Sequence, residues 1–460
     1  MEPRGWAIVT IAGYGLLMLV IGAWANRRTR DAADFFLSGR RLGPWVAALA
    51  QGATQSSAWT LAGVSGAAFL WGRSAAWIWL SVVSGYAVNW LWIAPRLRRL
   101  SAADGSLSLV QLLFGGAARR PHRRMAAVII LLSFLFYVAA QFEAAGQAFA
   151  VTLGLPVAAC IATGAAITVA YTLAGGFWAA SVTDFVQGAL MLVIAVVLPA
   201  AGVAAVGGFE AVLAAADAPS PSAPAAAGGI AFIAGVFGIG LGAFGQPHVA
   251  NHFMAARDEA AIRQGGIIAI AWIALILAGM LVAGWAGRAL AVPPANGETV
   301  LYVAAQAWLP PVFAGIVAVA VMSAIMSTVD SQLITATSSI TVDVDKRSSL
   351  PRTRAALLGF SLAATALAIF APEAIYSRVL FAWNALGAAF GPLVVLAVLG
   401  RRPAPPAGLA GMLTGFGLTI AFYLLPDAPG DVLERIVPFF VALAIVLLLD
   451  RRRQPAVDGR

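Results

Sequence analysis

Residues 51–66 read QGATQSSAWTLAGVSG, inside an otherwise apolar run from Gly43 to Gly72. Six residues in it, Gln51, Gly52, Thr54, Gln55, Ser56 and Ser57, are polar or weaken a helix. In hydrocarbon every backbone N–H and C=O needs a partner, so such a patch marks a place where a spanning helix opens. The rest of the chain supplies the membrane. It has 460 residues, 61% hydrophobic and 11% charged, with mean hydropathy +0.88. That is too little charge for a soluble surface, and long apolar runs recur throughout, so the chain reads as an all-α polytopic membrane protein.

About 20 apolar residues cross a bilayer. Runs that qualify are approximately 6–26, 43–72, 75–94, 125–153, 156–175, 180–206, 228–255, 264–288, 308–341, 353–371, 375–400, 406–425 and 432–449, thirteen in all. The first has no small-residue cleavage site and reads as a span, not a removable signal. With the N-terminus outside and the C-terminus in the cytoplasm, inner loops and tail hold 24 of the 29 cations, and the outside holds Arg4, Arg73, Arg288, Arg378 and Arg435. That asymmetry is the one that orients membrane proteins, so the net charge of +9 serves the bilayer of a plasma membrane and not a nucleic acid. The single Cys160 excludes an intrachain disulfide. No phosphate-binding glycine loop, nucleophile elbow or metal-ligand spacing is present, so the chain is not expected to be an enzyme.

A second span is also poorly formed. Residues 235–248, GVFGIGLGAFGQPH, crowd glycines and Pro247 into its middle. The broken spans are the second and the seventh, five apart. Interrupted spans at matching places in two halves point to a transporter built from inverted repeats. The expected organisation is an extra helix and inner loop at 1–42, a first repeat at 43–206 and an outer loop at 207–227. A second repeat follows at 228–400, then two helices and a short tail at 401–460.

Of 20 acidic residues, Glu143, Asp184 and Asp330 fall within spans and away from the water at their ends. A charge at the bilayer centre costs about 3 kcal/mol on insertion scales, so such groups face a cavity or a partner. Asp184 reads equally well as the end of a short turn between spans. Span 9 contains AVMSAIMSTVDSQLITATSS, where Ser327 and Ser331 share a helix face beside Thr328 and Asp330. Hydroxyls commonly bond back to their own helix, but three of them with a carboxylate make an oxygen set suited to a hard cation. His248 and His252 follow the second break, either at a vestibule or in helix packing.

Several longer segments sharpen this reading. They are FFLSGRRLGPWVAALAQGAT, WTLAGVSGAAF, NWLWIAPRLR, YTLAGGFWAASVTDFVQGALM, GLGAFGQPHVANHFMAA, MSTVDSQLITATSSITVD and AWNALGAAFGP. In order and content they resemble the sodium/solute symporter family, most of all its bacterial sodium/proline members. The resemblance implies a LeuT-type 5+5 inverted-repeat fold with about 13 transmembrane helices. It implies alternating access, with Na⁺ as coupling ion and a small organic solute as cargo. A sodium site is implied at Ala53, Ser56, Ser327 and Thr328, and a second at Asp184, Asp330 and Ser331. The implied solute residues are Gln55, Ser57, Trp59, Tyr137, Gln141, Glu143, Ile239, Ala243 and Trp383. Proline symporters usually carry an aspartate where this chain has Gln55, and aromatic residues where it has Ile239 and Ala243. These departures keep the solute open within the amino-acid-like class, and they keep alive a proton-coupled or uncoupled carrier. A transporter-like solute sensor is a further alternative, and it would require a signalling partner.

Overall fold

The computed structural model describes residues 3–27, 32–115, 120–219, 229–290, 297–344, 349–371, 375–426 and 429–451. Among these there is no strand, and helices account for nearly all of the chain. The main elements are α1 (Pro3–Asn26), α2 (Pro44–Gln55), α3 (Val64–Trp71), α4 (Ala76–Val88), α5 (Ala94–Asp104), α6 (Arg120–Leu153) and α7 (Val157–Val206). The second half runs through α8 (Ile230–Gly242), α9 (Pro247–Ala255), α10 (Glu259–Gly287), α11 (Pro311–Ser338) and α12 (Leu350–Phe370). It ends with α13 (Ile375–Val398), α14 (Pro405–Tyr423) and α15 (Val432–Arg451).

Burial is arranged for a lipid solvent. Leu16, Ile267 and Leu362 are more than half exposed, while Gln51, Thr54, Asp184, Asp330 and Gln332 are fully buried. Polar groups in hydrocarbon must find partners inside the bundle, so the functional atoms collect at its centre. α11 is buried along almost its whole length from Val317 to Ser338 and forms the axis against which α2, α6 and α7 pack.

Ten helical runs among the described residues are long and apolar enough to cross a membrane, or eleven if α8 and α9, bent by 52°, form one span. Thirteen spans were expected. The difference lies in two runs, Trp59–Asp104 of 46 residues and Val157–Val206 of 50. At 1.5 Å per residue either would be about 70 Å long if straight, against a hydrocarbon core of roughly 30 Å.

Both runs double back, as their contacts with neighbouring helices show. Gly52 faces Trp272 and Ser65 faces Gly284, so the chain first rises along α10. Trp79 then donates to the Ala274 carbonyl at 2.8 Å, and Trp90 packs on Gly265, so it descends again. Likewise Gly22 of α1 faces Tyr171, yet Gln187 Nε2 reaches Tyr14 Oη at 2.7 Å. A straight helix would put Tyr171 and Gln187 about 24 Å apart. The reversals occur at Gly72 (φ 58°, ψ −135°) and Gly176 (φ 57°, ψ −145°). A side chain would strain that backbone, and a Cβ on Gly176 would also strike the Phe35 ring at 2.6 Å.

Both expected breaks are present. α2 ends at Gln55, and Ser56 adopts φ −100°, ψ 87°, before helix resumes near Trp59. α8 ends in a tight turn at Ala243–Gly245, Gln246 is extended, and Pro247 starts α9 at a position where its missing N–H costs nothing.

Candidate functional site: two oxygen clusters beside a cavity

The opening of α2 releases carbonyls that an unbroken helix would use internally. Two of them meet the hydroxyl face of α11. Ser327 Oγ donates to the Ala53 carbonyl at 3.0 Å, and Thr328 Oγ1 donates to the Thr54 carbonyl at 3.0 Å. Both hydroxyls also lie within 3.1 Å of the Ala324 carbonyl of their own helix. Back-bonding and reaching across are therefore combined. Of the expected first ligand set, Ala53, Ser327 and Thr328 come together. Ser56 is adjacent and fully buried, and its side-chain hydroxyl has no hydrogen-bond partner. The Thr54 carbonyl joins the cluster and was not expected from the sequence.

A second cluster lies on the other side of Thr54. Thr54 Oγ1 donates to Asp184 Oδ2 at 3.0 Å and lies 3.0 Å from both Ser331 Oγ and His252 Nε2. Tyr171 Oη donates to Asp330 Oδ2 at 2.8 Å. The second oxygen of each carboxylate, Asp184 Oδ1 and Asp330 Oδ1, is buried without a hydrogen-bond donor among the described residues. Such orphaned anionic oxygens are costly unless a proton or a cation meets them. The expected second set of Asp184, Asp330 and Ser331 is thus assembled, and the turn-end reading of Asp184 does not hold, because Asp184 is fully buried eight residues past the Gly176 reversal. His252 belongs to this cluster. His248 instead packs edge-on against Phe134.

The cavity opens next to the first cluster. Its walls include Gln55, Ser57, Trp59, Tyr137, Ile239, Ala243 and Trp383, seven of the nine expected solute residues. Thr60, Val82, Tyr86 and Ile273 complete much of the rest. Gln141 and Glu143 do not line it. Gln141 is fully buried, and its Oε1 accepts the Ala58 N–H at 3.3 Å, so it braces the opened segment of the second span. Glu143 is 4% exposed and accepts from Gln147 within α6 at 3.4 Å. Helical spacing explains the place of Glu143. Tyr137 and Gln141 share a face at i and i+4, whereas Glu143 points well away from it.

The second break closes its carbonyls differently. Trp383 Nε1 donates to the Ile239 carbonyl at 2.9 Å, Gln246 Nε2 to the Gly242 carbonyl at 2.9 Å, and Asn89 Nδ2 to the Ala243 carbonyl at 3.3 Å. Here amide and indole N–H groups satisfy the backbone, and Ile239, Gly240, Ala243 and Trp383 form a cavity wall.

The chain has relatives among known proteins. The model of the sodium:solute symporter family matches residues 35–415. The chain is 36% identical over 430 residues to the sodium/proline symporter of Salmonella typhimurium, covering 89% of this chain and 86% of that one. It is 35% identical over 479 residues to the sodium/proline symporter of Escherichia coli, covering 98% and 95%. A high-affinity proline transporter of Bacillus subtilis is 33% identical, over 93% of this chain and 95% of its own length. Among solved structures, a Na⁺-coupled sialic acid symporter in a substrate-bound outward-open state superposes with TM-score 0.81 over 98% of both chains. Its 17% identity speaks for the shared fold alone. With its many spans and its bacterial relatives, the protein is an integral plasma-membrane protein, and the chain belongs to the sodium:solute symporter family.

Proposed function

We propose that the protein carries a small amino-acid-like solute inward, proline being the first candidate, by alternating access driven by sodium. The observation that carries this reading is the meeting of Ser327 and Thr328 hydroxyls with the Ala53 and Thr54 carbonyls, 3.0 Å apart, beside a cavity bounded by both broken spans. A hydroxyl that now donates can turn its proton aside and offer oxygen to Na⁺, giving a four-oxygen site at the break. Asp184, Asp330 and Ser331 would hold a second cation, and their unpartnered oxygens support that role. Gln55, Ser57, Trp59, Tyr137, Ile239, Ala243 and Trp383 would surround the solute. Gln141 and Glu143 would act from behind that wall.

In this reading the chain crosses the bilayer thirteen times, each reversed run counting twice, with its N-terminus outside and its C-terminus in the cytoplasm. Residues 43–206 and 228–400 form the two inverted repeats. Transport is the whole activity, with no enzymatic step.

The deciding measurement is uptake of labelled L-proline into proteoliposomes. Uptake is expected with an inward sodium gradient and to stay at background in choline at constant pH. Equal uptake in choline would overturn sodium coupling, and uptake driven by a pH gradient alone would transfer the coupling to protons. Binding without flux would favour a sensor.

A further inference from the structure

One polar side chain of the cavity is held from behind by a relay of two residues. Trp90 Nε1 lies 3.0 Å from Gln51 Oε1, and Gln51 Nε2 lies 2.5 Å from Gln55 Oε1. An amide can be placed either way round, but an indole N–H can only donate. Trp90 therefore decides which end of Gln51 is oxygen, and Gln51 in turn decides which end of Gln55 is oxygen. Trp90 and Gln51 are 1% and 0% exposed, whereas Gln55 is partly exposed and lines the cavity. The Gln55 oxygen is committed to Gln51. Its NH₂ group is not, and among the described residues no acceptor is bonded to it.

The surrounding groups leave that NH₂ distinctive. The Ile239 and Ala243 carbonyls on the opposite wall already accept from Trp383 and Asn89. Among the described residues, none that lines the cavity is an acid, a lysine, an arginine or a histidine. An anionic oxygen entering this space would find no fixed negative charge to repel it, and a charge-assisted N–H···O bond is among the stronger contacts open to an uncharged donor.

We propose that Trp90 and Gln51 are positioning residues that lock Gln55 with its amide N–H groups toward the cavity, so that Gln55 recognises a carboxylate of the solute and not the coupling cation. This rests on reading the cavity as the solute site. It also gives the exchange of aspartate for glutamine at this position a consequence. A carboxylate at position 55 offers only acceptors and a negative charge suited to a cation, whereas the oriented amide presents N–H donors to the cavity.

The test uses the purified full chain in detergent with saturating sodium. Thermal stabilisation is measured for glycine, L-alanine and L-proline, each against its carboxamide. Acids are expected to stabilise and amides not to. For the best acid, Gln55→Leu is expected to raise the half-saturating concentration about tenfold or more, with the sodium midpoint unchanged. Gln55→Glu, which keeps the acceptor toward Gln51 but offers oxygen to the cavity, is expected to do the same if the leucine variant does not fold. Trp90→Phe is expected to cost about threefold alone and nothing further on top of Gln55→Leu, a non-additivity that general loosening of the helix would not produce. The proposal is overturned if amides stabilise as well as acids, if no member of the panel stabilises, or if the Gln55 variants move the sodium midpoint and spare the solute's. Loss of sodium-driven uptake with acid binding and its Gln55 dependence intact would instead sink the symport reading and leave this one standing.

Discussion

At the break after Gln55 the freed carbonyls of Ala53 and Thr54 meet hydroxyls. At the break after Gly245 those of Ile239, Gly242 and Ala243 meet indole and amide N–H groups. Both arrangements satisfy the backbone in a bilayer, but they differ in what else they permit. A hydroxyl has lone pairs and a movable proton, so the first break can exchange its hydrogen bonds for a cation. An indole or amide N–H has nothing to give a cation. The second break is thus a fixed wall, and the cavity lies between a convertible opening and a permanent one.

That comparison can be broken in three ways. The largest effect is expected from Gly245→Ala. A Cβ there would stand 2.5 Å from the Leu386 carbonyl oxygen and 2.6 Å from the Gly391 nitrogen, both main-chain atoms of α13 that cannot rotate aside. Overpacking of this kind costs on the order of 3 kcal/mol. Uptake should collapse and the melting temperature should fall, and a variant with wild-type values would show that the wall is not fixed by this contact.

The next effect concerns the convertible break. Ser327→Ala with Thr328→Ala removes both hydroxyls that face it. Two buried hydrogen-bonding groups are together worth about 2 kcal/mol, so the sodium concentration for half-maximal uptake should rise about thirtyfold. The solute midpoint at saturating sodium should move much less. Equal movement of both would erase the distinction between cation and solute sides.

The smallest effect is expected at the wall. Trp383→Phe leaves the Ile239 carbonyl without its indole partner at a cost of about 1 kcal/mol, roughly fivefold in the solute midpoint. The sodium midpoint should hold. A sodium shift here as large as at Ser327 and Thr328 would mean that both breaks serve the ion.

Much of this site was legible in the chain itself. A polar patch in an apolar run, a glycine-rich run ending in Pro247, and an acid beside three hydroxyls mark features that hydrocarbon does not tolerate without a purpose, and each is found at the centre of the bundle. What stayed hidden depends on distances between residues far apart in sequence. Trp90 and Gln51 are 39 residues apart, and nothing local couples them. His252 reaches Thr54 from 198 residues away. The Thr54 carbonyl joins Thr328 through a fold contact, because every residue carries a carbonyl and sequence does not say which one a break sets free. Glu143 was legible in principle. Its place two residues beyond Gln141 puts it on another face of α6, a periodicity that outweighs the pull of reading any intramembrane acid as a solute contact. The sequence itself parts 43–72 from 75–94 and 156–175 from 180–206, at or beside Gly72 and Gly176, where the helices reverse, whereas the sense of each reversal is visible only in the contacts on either side.

Thr54 has its carbonyl in one oxygen cluster and its hydroxyl in the other. A residue has one backbone, so it cannot adjust to an occupant on one side without shifting what it offers on the other. Filling either cluster must therefore change the affinity of its neighbour, and thermodynamic reciprocity makes the change equal in both directions. If both take sodium, they will titrate as a linked pair. The Hill coefficient of the transport curve would then report on the stiffness of a single threonine.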